Sequence, residues 1–187
     1  MESTLLSWLE RLTTSGYHWW RRARLKIYFD PGHTYHVRTV LDHHNARGMF
    51  CHFMVRNDGK EPARECRARL MSVSRRTPNG EISERDFTAP RVLKWAHEPD
   101  WKQRDIEPGR PGRRADLCYV VEGDPHLYFF CPPLTLGLQT VFPPGEYRVR
   151  VRVDSENGDS DEALYDISFD GTWSRVNVTP VPPVSPP

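Results

Sequence analysis

The stretch Pro143-Pro144-Gly145-Glu146-Tyr147-Arg148-Val149-Arg150-Val151-Arg152-Val153 decides the fold class of this chain. A Pro-Gly turn opens a run in which Tyr147, Val149, Val151 and Val153 alternate with Glu146, Arg148, Arg150 and Arg152. Successive side chains on a strand point to opposite faces, so the apolar set shares one face and the arginines the other. Such a strand is half buried and half wet, as in an antiparallel sheet that lays one face on a core.

Segments of the same kind recur on both sides. Leu25, Ile27 and Phe29 alternate with Lys26 and Tyr28, and a turn at Asp30-Pro31-Gly32 leads to a second strand over 35–41. Residues 49–55 form a third, closed by the strong turn signal Asn57-Asp58-Gly59-Lys60. A fourth covers 64–75, with Cys66, Ala68, Leu70 and Ser72 on one face and Arg67, Arg69 and Met71 on the other, and ends at Pro78-Asn79-Gly80. Residues 81–114 are the least regular, although Leu93 and Trp95 read as buried. Residues 115–121 and 127–131 are apolar enough for inner strands, and Leu134, Leu136 and Leu138 lead into the Pro-Gly-Glu-Tyr strand. The last two strands, 164–169 and 173–178, meet at Asp170-Gly171, a favoured tight-hairpin pair.

About nine short strands with no helix between them cannot build a parallel α/β sheet. The expected fold is all-β, an antiparallel β-sandwich over residues 24–178. Residues 1–23 precede it as an amphipathic helix and an aromatic and basic segment. Residues 179–187, five of them proline, follow as a disordered tail.

The run 138–153 resembles the region of immunoglobulin-like and fibronectin type III-like sandwiches in which a Pro-Gly turn is followed by a Tyr and alternating hydrophobics. The resemblance implies an immunoglobulin-like sandwich. It also implies a role for Tyr147, a tyrosine corner whose hydroxyl bonds to upstream backbone. Val149 stands where antibody-type domains carry a cysteine, so no inter-sheet disulfide of that kind is expected. A shared sandwich carries no function with it.

Lys+Arg of 26 against Asp+Glu of 25 leaves a formal charge of +1, without the basic excess of a nucleic-acid binder. Locally the charge is uneven. Arg21, Arg22, Arg24 and Lys26 crowd together, and 154–170 holds seven acidic residues and no basic one. Both blocks read as solvated surface. There is no secretory signal, and no stretch approaches the roughly 18 apolar residues of a bilayer span. The expected location is therefore the cytoplasm. Cys51, Cys66, Cys118 and Cys131 are expected as reduced core thiols, with Cys51 near Cys66 and Cys118 near Cys131 on consecutive strands.

Leu5, Trp8, Leu9 and Leu12 have helical spacing over residues 1–13, and Tyr17, Trp19 and Trp20 then run into Arg21 and Arg22. Rings beside cations suit a membrane interface. The same side chains would equally cover an open edge of the sandwich. Trp8, Trp19, Trp20, Arg21 and Arg22 are thus the candidate contacts for a membrane, at its inner face, or for a partner.

His33, His36, His43, His44 and His52 with Cys51 are the densest set of potential metal ligands, but they lack the tight pairs of a structural zinc site. They read as loop and strand-face histidines. The acidic run 154–162 offers carboxylates for Ca²⁺ without the spacing of a helix-loop-helix calcium loop. No cofactor or metal is expected. With no nucleophile elbow and no phosphate-cradling glycine loop, no catalytic residue is expected either. The expected function is a non-catalytic interaction domain that binds another protein through loops or sheet edges. The alternatives are a peripheral membrane-associated domain and a Ca- or Zn-dependent binding module.

Overall fold

The alternating strand becomes β10 (Gly145–Asp154), which pairs antiparallel on one side with β4 (Ala63–Arg76) and on the other with β12 (Asp161–Phe169). In this computed structural model, which describes residues 22–40, 46–77, 82–129 and 141–182, two β-sheets pack face to face. β13 (Val176–Val181) and β5 (Ile82–Val92) complete the order β13-β12-β10-β4-β5 of one sheet, and β6 (Arg104–Ile106) adds to β4. The other sheet is strongly curled. Its order is β11-β1-β3-β7-β8-β9, built from β11 (Gly158–Asp159), β1 (Ala23–Tyr28), β3 (Ala46–Asn57), β7 (Arg113–Val121), β8 (Leu127–Phe129) and β9 (Val141–Phe142). β2 (Tyr35–Val40) also pairs with β3.

The core lies between the sheets. Tyr147, Val149, Val151 and Val153 of β10 join Leu70 and Val73 from one side and Leu25, Phe53, Val55, Leu117 and Val120 from the other. On the outward face of β10, Arg148 forms a two-pronged ion pair with Asp166 at 2.8 and 2.9 Å, and Arg152 meets Glu162 at 3.4 Å. The alternation is thereby satisfied on both faces: apolar groups leave water, and charges stay at the surface with partners.

Several local expectations give way. Thirteen strands, some of two or three residues, replace about nine among the described residues. The span 81–114 supplies two of them, β5 and β6. Asp30-Pro31-Gly32 does not turn the chain back. Asp30 caps a single helical turn, α1 (Pro31–Thr34), by accepting from the Gly32 amide at 3.0 Å. β1 and β2 then follow the same edge of β3, with Leu25 opposite Asn57 and Tyr35 opposite Cys51. In β4 the pairing with β10 shifts register at Arg150/Val151, which brings Val73 rather than Ser72 into the core.

The last connection is longer than a tight hairpin. Gly171 takes the left-handed φ of 93°, the Asp170 carboxylate accepts from the Thr172 amide, and a 3-10 turn covers Trp173–Arg175. β13 therefore starts at Val176 and runs to Val181, so the sandwich begins at Ala23 and reaches past residue 178 into the proline-rich segment. Pro180 is tolerated because β13 is an edge strand.

The cysteine pairing also changes. β3 and β4 lie in different sheets, so Cys51 faces Cys118 across β3 and β7 rather than Cys66. All three thiols are free and buried; the Cys51 thiol beside it and burial hold the Cys118 thiol well above its ordinary range, and burial pushes Cys66 up to about 12. Cys131, Leu134, Leu136, Leu138 and the helix over 1–13 lie outside the described residues.

Candidate functional site

The acidic block is structural before it is anything else. Asp159 meets Arg22 at 2.6 Å, Asp161 meets Lys26 at 3.2 Å and accepts from the Ile27 amide at 2.8 Å, and Asp154 meets Arg69 at 2.8 Å. Asn157 accepts from the Arg64 amide and donates to the Pro62 carbonyl. Of the carboxylates that suggested a solvated or calcium-binding loop, Asp161 of β12 thus ties β1 to the opposite sheet, Asp159 of β11 holds Arg22 within the sheet of β1, and Asp154 joins β10 to β4.

Beside this staple lies a groove of about 680 Å³. Lys26–Phe29 form one wall; residues 161–165 of β12 and 180–182 at the end of β13 form the rest, with Arg150. Ile27, Phe29, Ala163, Leu164, Tyr165 and Val181 make the lining mainly apolar. Its size is that of a ligand or peptide cleft, generally some 300–1,000 Å³. Beyond β3, β1 pairs only through Ala23 and Arg24 with β11 among the described residues, and along Lys26–Tyr28 the Ile27 amide is taken by the Asp161 carboxylate rather than by a second strand. The neighbouring edge is better guarded. The Tyr35 hydroxyl accepts from the Val178 amide of β13 at 2.8 Å.

A second constellation occupies the outward face of the curled sheet. His52 and Asp116 sit opposite each other on β3 and β7, next to a bulge, and both are buried, at 1% and 0% exposure. His52 Nδ1 lies 2.8 Å from Asp116 Oδ1 but out of hydrogen-bond alignment, and both ring nitrogens lack a hydrogen-bond partner. Arg38 donates to Asp116 Oδ2 at 3.2 Å and lies over the Phe50 ring at 3.6 Å. Phe50, Tyr119 and Tyr128 continue as a stacked ladder with centroid separations of 5.1 and 5.0 Å.

Above the buried pair, His36 lies with its ring centroid 6.4 Å from that of His52 and 5.5 Å from that of His97. Arg114 donates to His97 Nε2 at 3.0 Å. Because a guanidinium has no acceptor, His97 must accept, which fixes it as a neutral ring with its proton on Nδ1. Burial, followed by neighbouring His52, Arg114 and Arg38, holds His36 below the usual histidine range; burial and the same two guanidiniums do so for His97. His97 also carries a left-handed φ of 65°, a conformation uncommon for a side-chain-bearing residue.

Of the candidate contacts read from the sequence, Trp8, Trp19, Trp20 and Arg21 lie outside the described residues. Arg22 is committed to Asp159. Tyr147 is 2% exposed, and its hydroxyl donates to the Pro143 carbonyl four residues upstream. The histidine set divides: His33 is exposed against Asp30 at 2.8 Å, Cys51 faces the core, and His43 and His44 lie outside the described residues. Among the described residues, no group of three or more His, Cys, Asp or Glu is placed to hold a metal ion, and no helix is long and apolar enough to cross a membrane.

Arg38, His97, Arg114 and Asp116 were missed in the sequence. The available signal was a charge inside an apolar run, Ala115-Asp116-Leu117-Cys118, and a histidine inside Phe50-Cys51-His52-Phe53. Residues that interrupt buried strands in this way need a partner. No family model matches the chain, and no curated protein or solved structure is significantly similar to it.

Proposed function

We propose that this protein is a non-catalytic recognition domain that binds an extended segment of another protein in the groove beside β1. The observation that carries the proposal is an apolar cleft of about 680 Å³ at a strand edge without a second partner strand among the described residues. The Ile27 amide on that edge is already held by the Asp161 carboxylate, so an extended segment would be bound chiefly through its side chains entering the apolar cleft. The groove brings together apolar side chains and the Lys26–Asp161 pair, a lining suited to contact rather than to chemistry.

An immunoglobulin-like relationship is supported by the Tyr147 bond to Pro143 and by the neighbours β4, β10 and β12, which follow the C–F–G order of that fold. The curled sheet departs from it, because β3 is flanked by β7, with β8 and β9 following outward in chain order.

A photo-crosslinking residue at half-buried Leu164, with exposed Val37 as control, tests the groove. The expected result is a protein adduct specific to position 164. A synthetic peptide of the crosslinked segment should bind the purified protein and lose affinity in Leu164→Asp. Equal labelling at 164 and 37, or a peptide indifferent to the substitution, would sink the proposal.

A further inference from the structure

We propose that His36, His97 and Arg114, with Arg38 beside them, form an oxyanion-binding site on the outward face of the curled sheet, for a phosphate-class dianion. The site is independent of the groove and stands on other residues.

Its geometry is built from four elements. β2 supplies His36 and Arg38, β3 supplies His52, β7 supplies Arg114 and Asp116, and the segment after Trp95 supplies His97. His36 and His97 are exposed and accessible, whereas His52 and Asp116 form a buried floor. Side chains that are or can become cationic converge there within ring distances of 5.5 and 6.4 Å. Such convergence is unfavourable by itself, because like charges repel more strongly where water is partly excluded. A dianion removes that repulsion and accepts charge-assisted bonds from the fork of a guanidinium.

The donors are in place. The Arg114 bond to His97 Nε2 leaves His97 Nδ1–H to donate, and Arg114 has further N–H groups beyond the one it spends. Beneath them His52 Nδ1 lies 2.8 Å from Asp116 Oδ1 out of hydrogen-bond alignment, a buried floor that leaves the anion to the exposed His36 and His97 and the half-buried Arg114. The guanidiniums disfavour the other occupant that clustered histidines suggest, a metal cation.

Protonation should strengthen the site. Partial desolvation and the neighbouring guanidiniums hold His36 and His97 below the ordinary histidine value, and an arriving dianion opposes that shift. The charged and titratable groups facing them are Arg38, His52, Arg114 and Asp116.

The test is histidine-ring NMR of the full chain titrated with millimolar sulfate, whose charge is constant, against chloride at matched ionic strength. Saturable shifts of the His36 and His97 resonances are expected, tightening as pH falls from 8 to 6. Arg114→Gln should weaken binding about tenfold, as befits loss of a charge-assisted pair, while Arg114→Lys retains part of it. A parallel titration of His36→Gln provides a second variant if Arg114→Gln fails to fold. Inorganic phosphate and O-phosphoserine separate the sources: tighter O-phosphoserine binding assigns a phosphomonoester, and equal affinities assign the free anion. Shifts absent with every anion, or unchanged in a folded Arg114 or His36 variant, would overturn the site.

Discussion

β10 and β3 both run through the middle of a sheet with a neighbour on each side, but their two faces meet different surroundings. β10 buries Tyr147, Val149, Val151 and Val153 and turns Arg148, Arg150 and Arg152 outward, where Arg148 and Arg152 meet carboxylates in water. β3 buries Cys51, Phe53 and Val55 on the core side and also Phe50, His52 and Met54 on the other. The outward face of one sheet is a solvated ladder of ion pairs; that of the other is a covered platform around a buried His–Asp pair. The same strand geometry therefore gives charges very different weight. In water they are screened and interchangeable, whereas at the platform each one depends on a particular partner.

The sharpest way to break this comparison is Asp116→Asn. It leaves His52 and Arg38 beside a neutral group in a buried setting, and it should cost about 3 kcal/mol, the usual scale for breaking a buried charged pair. Urea unfolding measures it, and a loss below about 1 kcal/mol would make the platform no different from the solvated face.

Tyr147→Phe comes next, with an expected loss of about 1 kcal/mol by the same measurement, because it removes one buried hydroxyl bond and leaves the ring in place. No change at all would mean that the β10 end is held by its strand neighbours alone.

Arg148→Ala should cost less, under about 1 kcal/mol, since its pair with Asp166 is about one-third exposed on each side. A loss as large as that of Asp116→Asn would erase the distinction between the two faces.

The most gradual effect is on pH. His36 and His97 have folded values below the ordinary 6.5, so the unfolded chain binds more protons than the folded one between the two values. Their contribution is present above pH 6.5 and is lost as pH falls through that value toward the folded ones. Thermal midpoints measured from pH 8 to 5.5 should decline, and the decline should flatten in a His36→Gln, His97→Gln double variant. An undiminished slope in that variant would assign the effect elsewhere.

Legibility in the sequence followed solvation. β10 was readable because its outward face is wet, and the strands at 25–29 and 64–75 showed partial alternation for the same reason. β3 offered no alternation to read, since a strand covered on both faces is apolar on both. The groove was not readable at all: Ile27 and Leu164 are far apart in sequence and meet through the packing of β1 against the ends of β12 and β13. The basic block near residue 22 and the acidic block after 154 were each visible, but their pairing was not, because complementary charge does not specify distance.

The sequence by itself determined that this chain is built from β-strands, that β10 turns one face to a core, and that Tyr147 follows a Pro-Gly turn at its start. Those properties are local, set by side-chain alternation and turn chemistry within a few residues. Only the tertiary structure decided that Cys51 faces Cys118, that the acidic block holds β1, and that His36, His52, His97, Arg38, Arg114 and Asp116 converge. Each of those depends on which strands become neighbours, and that choice is made by burying the whole core at once rather than by any single segment.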